Sequence, residues 1–160
     1  MSERAAALAT AFENANNEVI AAVEGCTPDA WGRTCQDEGW SVGVAAHHVA
    51  VNHPAIVGLV QLIANGQPLP PITMEMIDAG NAQHAQKHAN VSRDETLELL
   101  RSQGKATADI VRGLSDEQLD RTAALALVGG QEWSAADMIE RILIGHPAGH
   151  GASIKAAAGR

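Results

Sequence analysis

Apolar residues recur at three- and four-residue steps through four separate stretches of this chain, and only a helix puts residues at that spacing on one face. From Glu3 to about Glu24 the stripe is Leu8, Phe12, Ala15, Val19, Ala22 and Val23. Gly25, Thr27, Pro28, Asp29, Gly32 and Gly39 then punctuate a connection that ends at Trp40-Ser41, where the serine is placed to cap a second helix by accepting from an early backbone N–H. Val42, Ala45, Val49, Ile56, Leu59 and Ile63 carry the period to Ala64. Asn65-Gly66 and the proline run Pro68 to Pro71 stop it, because proline has no N–H to donate and crowds the turn before it. Pro54 lies inside this second helix and predicts a bend near His53.

Thr73 to His88 reads as a shorter helical piece. Ser92, with Glu95 three residues on, opens a third main helix that carries Leu97, Leu100 and Ile110. Leu114 to Gln131 reads mostly as connection, with one brief helical turn at Ser115-Asp116-Glu117 and Gly129-Gly130 near its end. Ser134 with Asp137 opens the last helix, whose stripe is Met138, Ile139, Ile142, Leu143 and Ile154. At 2% aromatic, with no Tyr and Phe12 alone of its kind, the composition favours close helix packing over sheet. The expectation is one all-α domain over residues 1–160, a four-helix bundle with a short extra helical segment between helices two and three.

A net charge of -8, with no run of Lys and Arg, repels a phosphate backbone, so nucleic acid is not an expected partner. Cys26 and Cys35, eight residues apart within a polar loop and without C-x-x-C spacing, read as thiols without a role and fit a reducing cytoplasm. The polar start Met-Ser-Glu-Arg and the lack of a long apolar run lead to the expectation of a cytoplasmic protein without a membrane partner.

Chemistry is concentrated in seven histidines, grouped as His47, His48 and His53, then His84 and His88, then His146 and His150. His146 and His150 are four apart, so a helix projects both from one face with β-carbons roughly 6 Å apart, close enough for two imidazoles to reach one ion. They also continue the stripe from Ile139 and Ile142 to Ile154. Buried imidazoles need partners for both nitrogens, and a metal satisfies a stacked pair together. A solvated face or ordinary core hydrogen bonding is the plainer reading, and a third ligand is needed to set it aside. Gly145, Pro147, Gly149 and Gly151 surround the pair and predict a kink that, if it breaks the helix, removes the shared-face geometry.

On the second helix a 100° wheel puts His53 inside the apolar stripe, His48 on its flank and His47 on the opposite, solvent side. Periodicity alone therefore selects His53 as the third ligand. His84 and His88 form another pair four apart, with Asn81 on the same face; a solvated polar face is the plain reading there and a second site the sharper one.

The run Trp40-Ser41-Val42-Gly43-Val44-Ala45-Ala46-His47-His48 resembles the second-helix signature of the DinB-like superfamily, in which a Trp opens the helix and a ligand histidine follows eight residues later. His146-Pro-Ala-Gly-His150 is similar to the final-helix H-x-x-x-H of that superfamily, and Val91 to Leu97 with Leu114 to Leu119 resemble the entry and exit of its third helix. The resemblance implies a DinB-like four-helix bundle with His48, His146 and His150 around a divalent metal, Zn or Ni, and places His84 and His88 at the mouth of the metal cavity. It also implies a thiol S-transferase reaction, in which a low-molecular-weight thiol attacks a small electrophile.

Three neutral imidazoles leave a coordination position open, as catalytic centres do, and an ion there lowers the pKa of a thiol or of water. A metal-dependent hydrolase would use the same triad with a carboxylate base, for which Asp137 and Glu140 are the last helix's candidates. A non-enzymatic metal-binding protein, or a homodimer formed through exposed apolar surface, is the reading from another class. His53 stands as the alternative to His48.

Overall fold

A computed structural model of the chain describes residues 2–159. Helix α1 spans Glu3–Glu24 and starts on Ser2, whose hydroxyl accepts from the Ala5 N–H at 3.0 Å. A single turn, α2 (Pro28–Trp31), interrupts the connection to α3 (Val42–Ala64), which begins on Ser41 accepting from the Val44 N–H at 3.1 Å. Helices α4 (Met74–Lys87) and α5 (Arg93–Arg112) follow, then a short α6 (Asp116–Asp120). The last helix is built of α7 (Ala135–Met138), a π-helical segment (Ile139–Ile144) and α8 (Gly145–Ala158). Its start is a reciprocal cap, Ser134 and Asp137 each accepting from the other's backbone N–H at 3.0 Å.

Packing follows from the stripes. Helices α1 and α3 stand diagonally, each touching both α5 and the last helix. One half of the core joins Phe12, Ile56, Ile63, Leu119, Met138, Ile139 and Leu143; the other joins Val19, Val42, Val49, Leu97, Leu100 and Ile154. Each such side chain taken fully out of water contributes about 1.5–3 kcal/mol. Between the halves lies a polar pair: the Asn16 amide donates to the Leu100 carbonyl at 2.9 Å, and its oxygen faces His53 Nε2 at 2.8 Å. Gly104 makes room for it, since a Cβ there would stand 2.2 Å from Asn16 Nδ2. Among the described residues no helix is long and apolar enough to cross a membrane.

Two segments depart from expectation. Residues between Leu114 and Gln131 are not mainly connection: β1 (Thr122–Leu125) and β2 (Gln131–Ser134) pair antiparallel from Thr122↔Ser134 to Leu125↔Gln131. The reversal passes through Gly129 and Gly130 at φ 68° and 82°, a left-handed conformation that glycine adopts without strain. Strands of four residues, one of them Thr-Ala-Ala-Leu and the other Gln-Glu-Trp-Ser, carry little β signal of their own, so Leu125, buried in the core, and the glycine pair marked them. The last helix is not broken at Pro147: it runs on through that residue, and a π segment with its wider turn lies just before it. Likewise α3 continues through Pro54 to Ala64. Cys26 and Cys35 are buried and no disulfide joins them; burial, helped by Glu38, pushes the Cys35 thiol up to about 11.

Candidate metal centre

Helices α3 and α8 face one another across the bundle, and their contact brings together the residues that the sequence scattered over a hundred positions. His48 from α3 meets His146 and His150 from α8, with one ring nitrogen of each within 4.8 Å of the other two. The shortest approach is 2.9 Å between His48 Nε2 and His146 Nε2. The rings fan rather than stack: centroids are 4.6–5.0 Å apart and planes differ by 54°, 77° and 80°. Because α8 stays helical around Pro147 and Gly149, His146 and His150 keep the shared face that their spacing implies.

Two of the three rings, His48 and His150, are held from behind. Trp40 packs edge-on to His48 at 5.0 Å and parallel to His150 at 6.3 Å, so the residue that opens α3 also walls the triad. Asn52, one turn past His48, donates to the His48 carbonyl at 2.8 Å and sets its amide 3.1 Å from Nδ1, which leaves Nε2 turned toward His146. His150 Nδ1 lies 2.7 Å from Glu38 Oε1, and Ser153 donates to the other carboxylate oxygen at 2.6 Å. Burial works to raise the Glu38 pKa, but the bonds from Ser153 and His150 outweigh it and hold the carboxyl below the usual range.

Glu38 was invisible in the sequence. It sits in the irregular loop before α3, tied down by Cys35 N–H to Trp40 O (2.7 Å) and Gly39 N–H to Cys35 O (2.9 Å), and nothing local marks it. Its only sequence signal is an acidic residue two before the Trp that opens the helix.

Electrostatically, two members of the triad, His48 and His146, are held neutral. Burial first, then the neighbouring His150 and His84, pushes His48 down to about 3; burial, His150 and His48 push His146 to about 2. The donor set fits a divalent cation. His48 and His146 are unprotonated, a carboxylate on His150 Nδ1 leaves Nε2 for the ion, and His146 Nδ1 is buried with no hydrogen-bond partner among the described residues.

His53 is not part of this group. It is fully buried, faces Asn16 through Nε2 and meets Phe12 edge-on at 4.9 Å, while burial lowers its pKa to about 4. Periodicity pointed to it because it does lie on the core stripe, as a packed polar residue one and a half turns from the triad.

His47, expected to face solvent, is only 8% exposed. The wheel could not foresee that α4 folds back over that side of α3. His47 Nδ1 stands 2.8 Å from His84 Nε2, its ring stacks on His88 at 4.3 Å, and these three form a second group with ring nitrogens mutually within 4.8 Å. The two groups adjoin, since His48 and His84 rings are 5.5 Å apart.

A cavity of about 470 Å³ opens beside the first group, with His48, His146 and His150 in its wall. The rest is chiefly apolar: Ile56 from α3, Met74 and Ile77 from α4, Leu125 and Trp133 from the hairpin, Met138 and Ile142 from the last helix. Asn52 and Asn81 are its other polar members. From α4 the wall takes Met74, Ile77 and Asn81, while His84 and His88 turn toward His47. No carboxylate lines it among the described residues. Asp137 is occupied by Ser134 and Arg141, and Glu140 is exposed.

The profile of the DinB superfamily matches residues 11–154. No curated protein shows significant similarity to the chain. Among solved structures the chain is similar to YfiT from Bacillus subtilis, described as a probable metal-dependent hydrolase with an unusual four-helix bundle topology. That similarity has a TM-score of 0.77 at 17% identity, covers 100% of this chain and 89% of YfiT, and establishes the fold. With nearly its whole length matched by the profile, and its helices arranged as in that bundle, the chain belongs to the DinB superfamily.

Proposed function

We propose that the protein binds a divalent cation, zinc or nickel, at His48, His146 and His150, and that the centre activates a low-molecular-weight thiol for transfer to an apolar electrophile held in the adjoining cavity. The observation that carries this reading is the character of the cavity: three imidazoles at one end, apolar walls, and no carboxylate facing the space among the described residues. A bound cation supplies Lewis acidity, lowering the pKa of a thiol enough to make it a nucleophile at neutral pH without a side-chain base.

The chain's own residues do the rest. Glu38 and Ser153 orient His150; Asn52 and Trp40 orient His48. The apolar walls, Ile56, Met138, Ile142 and Trp133, exclude water and bind an electrophile of matching character. Arg141 lies over Trp133 at 4.9 Å and steadies that wall.

Metal-dependent hydrolysis is the second reading, supported by the description of YfiT. It calls for a group that takes a proton from water, and the carboxylate nearest the triad, Glu38, is already engaged by His150 and Ser153.

The test is an assay of zinc-loaded and nickel-loaded protein against a panel of small thiols with apolar electrophiles, beside a panel of apolar esters and amides. Thiol-dependent product formation that His146→Ala abolishes supports the transferase. Hydrolysis without thiol replaces it with the second reading, and metal uptake without turnover in either panel makes the chain a non-enzymatic metal-binding protein.

A further inference from the structure

We propose that His47, His84 and His88 form a second site for a divalent cation, and that an ion bound there clamps α4 onto the bundle and so fixes one wall of the cavity.

Convergence is the first ground. His47 comes from α3, His84 from the last turn of α4, and His88 caps the C-terminus of α4, so three imidazoles from two helices and the cap of one meet in one place. Their centroids are 5.1, 4.3 and 4.7 Å apart. Such a donor set, imidazole nitrogen without carboxylate, suits zinc, nickel or cobalt rather than calcium or magnesium.

The second ground is an unmet need. His84 meets His47 through Nε2, and its Nδ1 is buried without a partner among the described residues. A neutral pair of imidazoles shares one proton between two nitrogens and leaves such an atom stranded, at a cost. Rotation of the stacked rings about an ion turns those nitrogens toward a common acceptor of lone pairs.

The third ground is what α4 lacks. None of its residues is fully buried, and Met74 and Met76 are 54% and 57% exposed, so it has no apolar stripe to hold it to the bundle. The hydropathy pattern that fixes α1, α3 and α5 is missing, yet α4 supplies Met74, Ile77 and Asn81 to the cavity. Its contact through the histidine group stands where a hydrophobic face would otherwise be. Metal binding to residues on two elements joins them, and the binding energy appears as order in the weaker element.

The site is independent of the thiol-transfer reading, although its effect on the cavity wall bears on it. The experiment titrates Zn²⁺ into the chelator-treated full chain and reads stoichiometry by native mass spectrometry and hydrogen exchange over residues 74–87. Wild type, His88→Ala and His150→Ala are compared, with His84→Asn as a second rim variant. Since His88 is half-buried at the end of a helix without core residues, His88→Ala leaves the bundle intact, which circular dichroism verifies.

About two equivalents are expected in wild type and about one in each variant, with zinc slowing exchange over 74–87 by about tenfold or more in wild type and His150→Ala but not in His88→Ala. Uptake unaltered by both His88→Ala and His84→Asn overturns the second site. Zinc uptake at that site without slower exchange overturns the clamp. If His88→Ala loses an equivalent and His150→Ala loses none, this proposal stands and the site under the proposed function falls.

Discussion

The two histidine groups use the same residue type and the same four-residue spacing on a helix, yet one is built into the bundle and the other hung on its rim. His48, His146 and His150 project from α3 and α8, two helices fixed by apolar stripes, with Glu38 and Ser153 supporting His150 and Asn52 and Trp40 supporting His48. His47, His84 and His88 rely on α4, which buries no side chain fully, and their rings stack within 20–33° of parallel instead of fanning. The difference teaches that spacing locates ligands, while supporting residues from other elements decide how ready they are. The first group is set for an ion; the second must turn its rings and order a helix to take one.

Acid breaks the comparison most severely. A histidine whose folded pKa lies below its ordinary value of about 6.5 stays neutral in the fold while the unfolded chain takes up a proton. Its stabilising effect is therefore complete above about 6.5 and is lost as pH falls through the folded pKa. His53, pushed down by burial to about 4, costs the metal-free protein about 3 kcal/mol over that window. His47, lowered to about 4 by burial and by His88 and His84, protonates in the fold before His48 at about 3. Urea unfolding in chelator at pH 7, 5.5 and 4.5 should show the loss, and hydrogen exchange should show residues 74–87 opening before α3 does.

Glu38→Gln sharpens the comparison. It removes the carboxylate charge behind His150 and should weaken zinc binding at the first group by about tenfold or more, with the rim group unaffected. Calorimetric titration of Zn²⁺ into this variant and into wild type resolves the two. Ser153→Ala has the smallest effect: it takes away a hydrogen bond worth about 1 kcal/mol but leaves Glu38 on His150, so a loss of about threefold is expected in the same titration.

Much of the fold was legible because its information is local. Leu8, Phe12 and Val19 on α1, or Leu97 and Leu100 on α5, announce a buried face through spacing alone, and Ser41, Ser92 and Ser134 announce the helix starts. His146 and His150 were legible for the same reason, and His48 only through the resemblance of its spacing from Trp40 to the DinB-like signature, since periodicity pointed to His53. What escaped is long-range: α4 covering His47, the loop that aims Glu38 at His150, and the hairpin that closes the cavity with Leu125 and Trp133. The π segment escaped as well, because Pro147 and its glycines put the expected irregularity at residues 145–151, whereas it lies just before them, at Ile139–Ile144.

Diffraction from crystals grown with zinc, recorded at the zinc absorption edge, tests the central claim most directly. An anomalous peak about 2.0–2.1 Å from one ring nitrogen each of His48, His146 and His150 is expected. A map without a peak among these three residues, or with the ion held by His53 in place of His48, would contradict it.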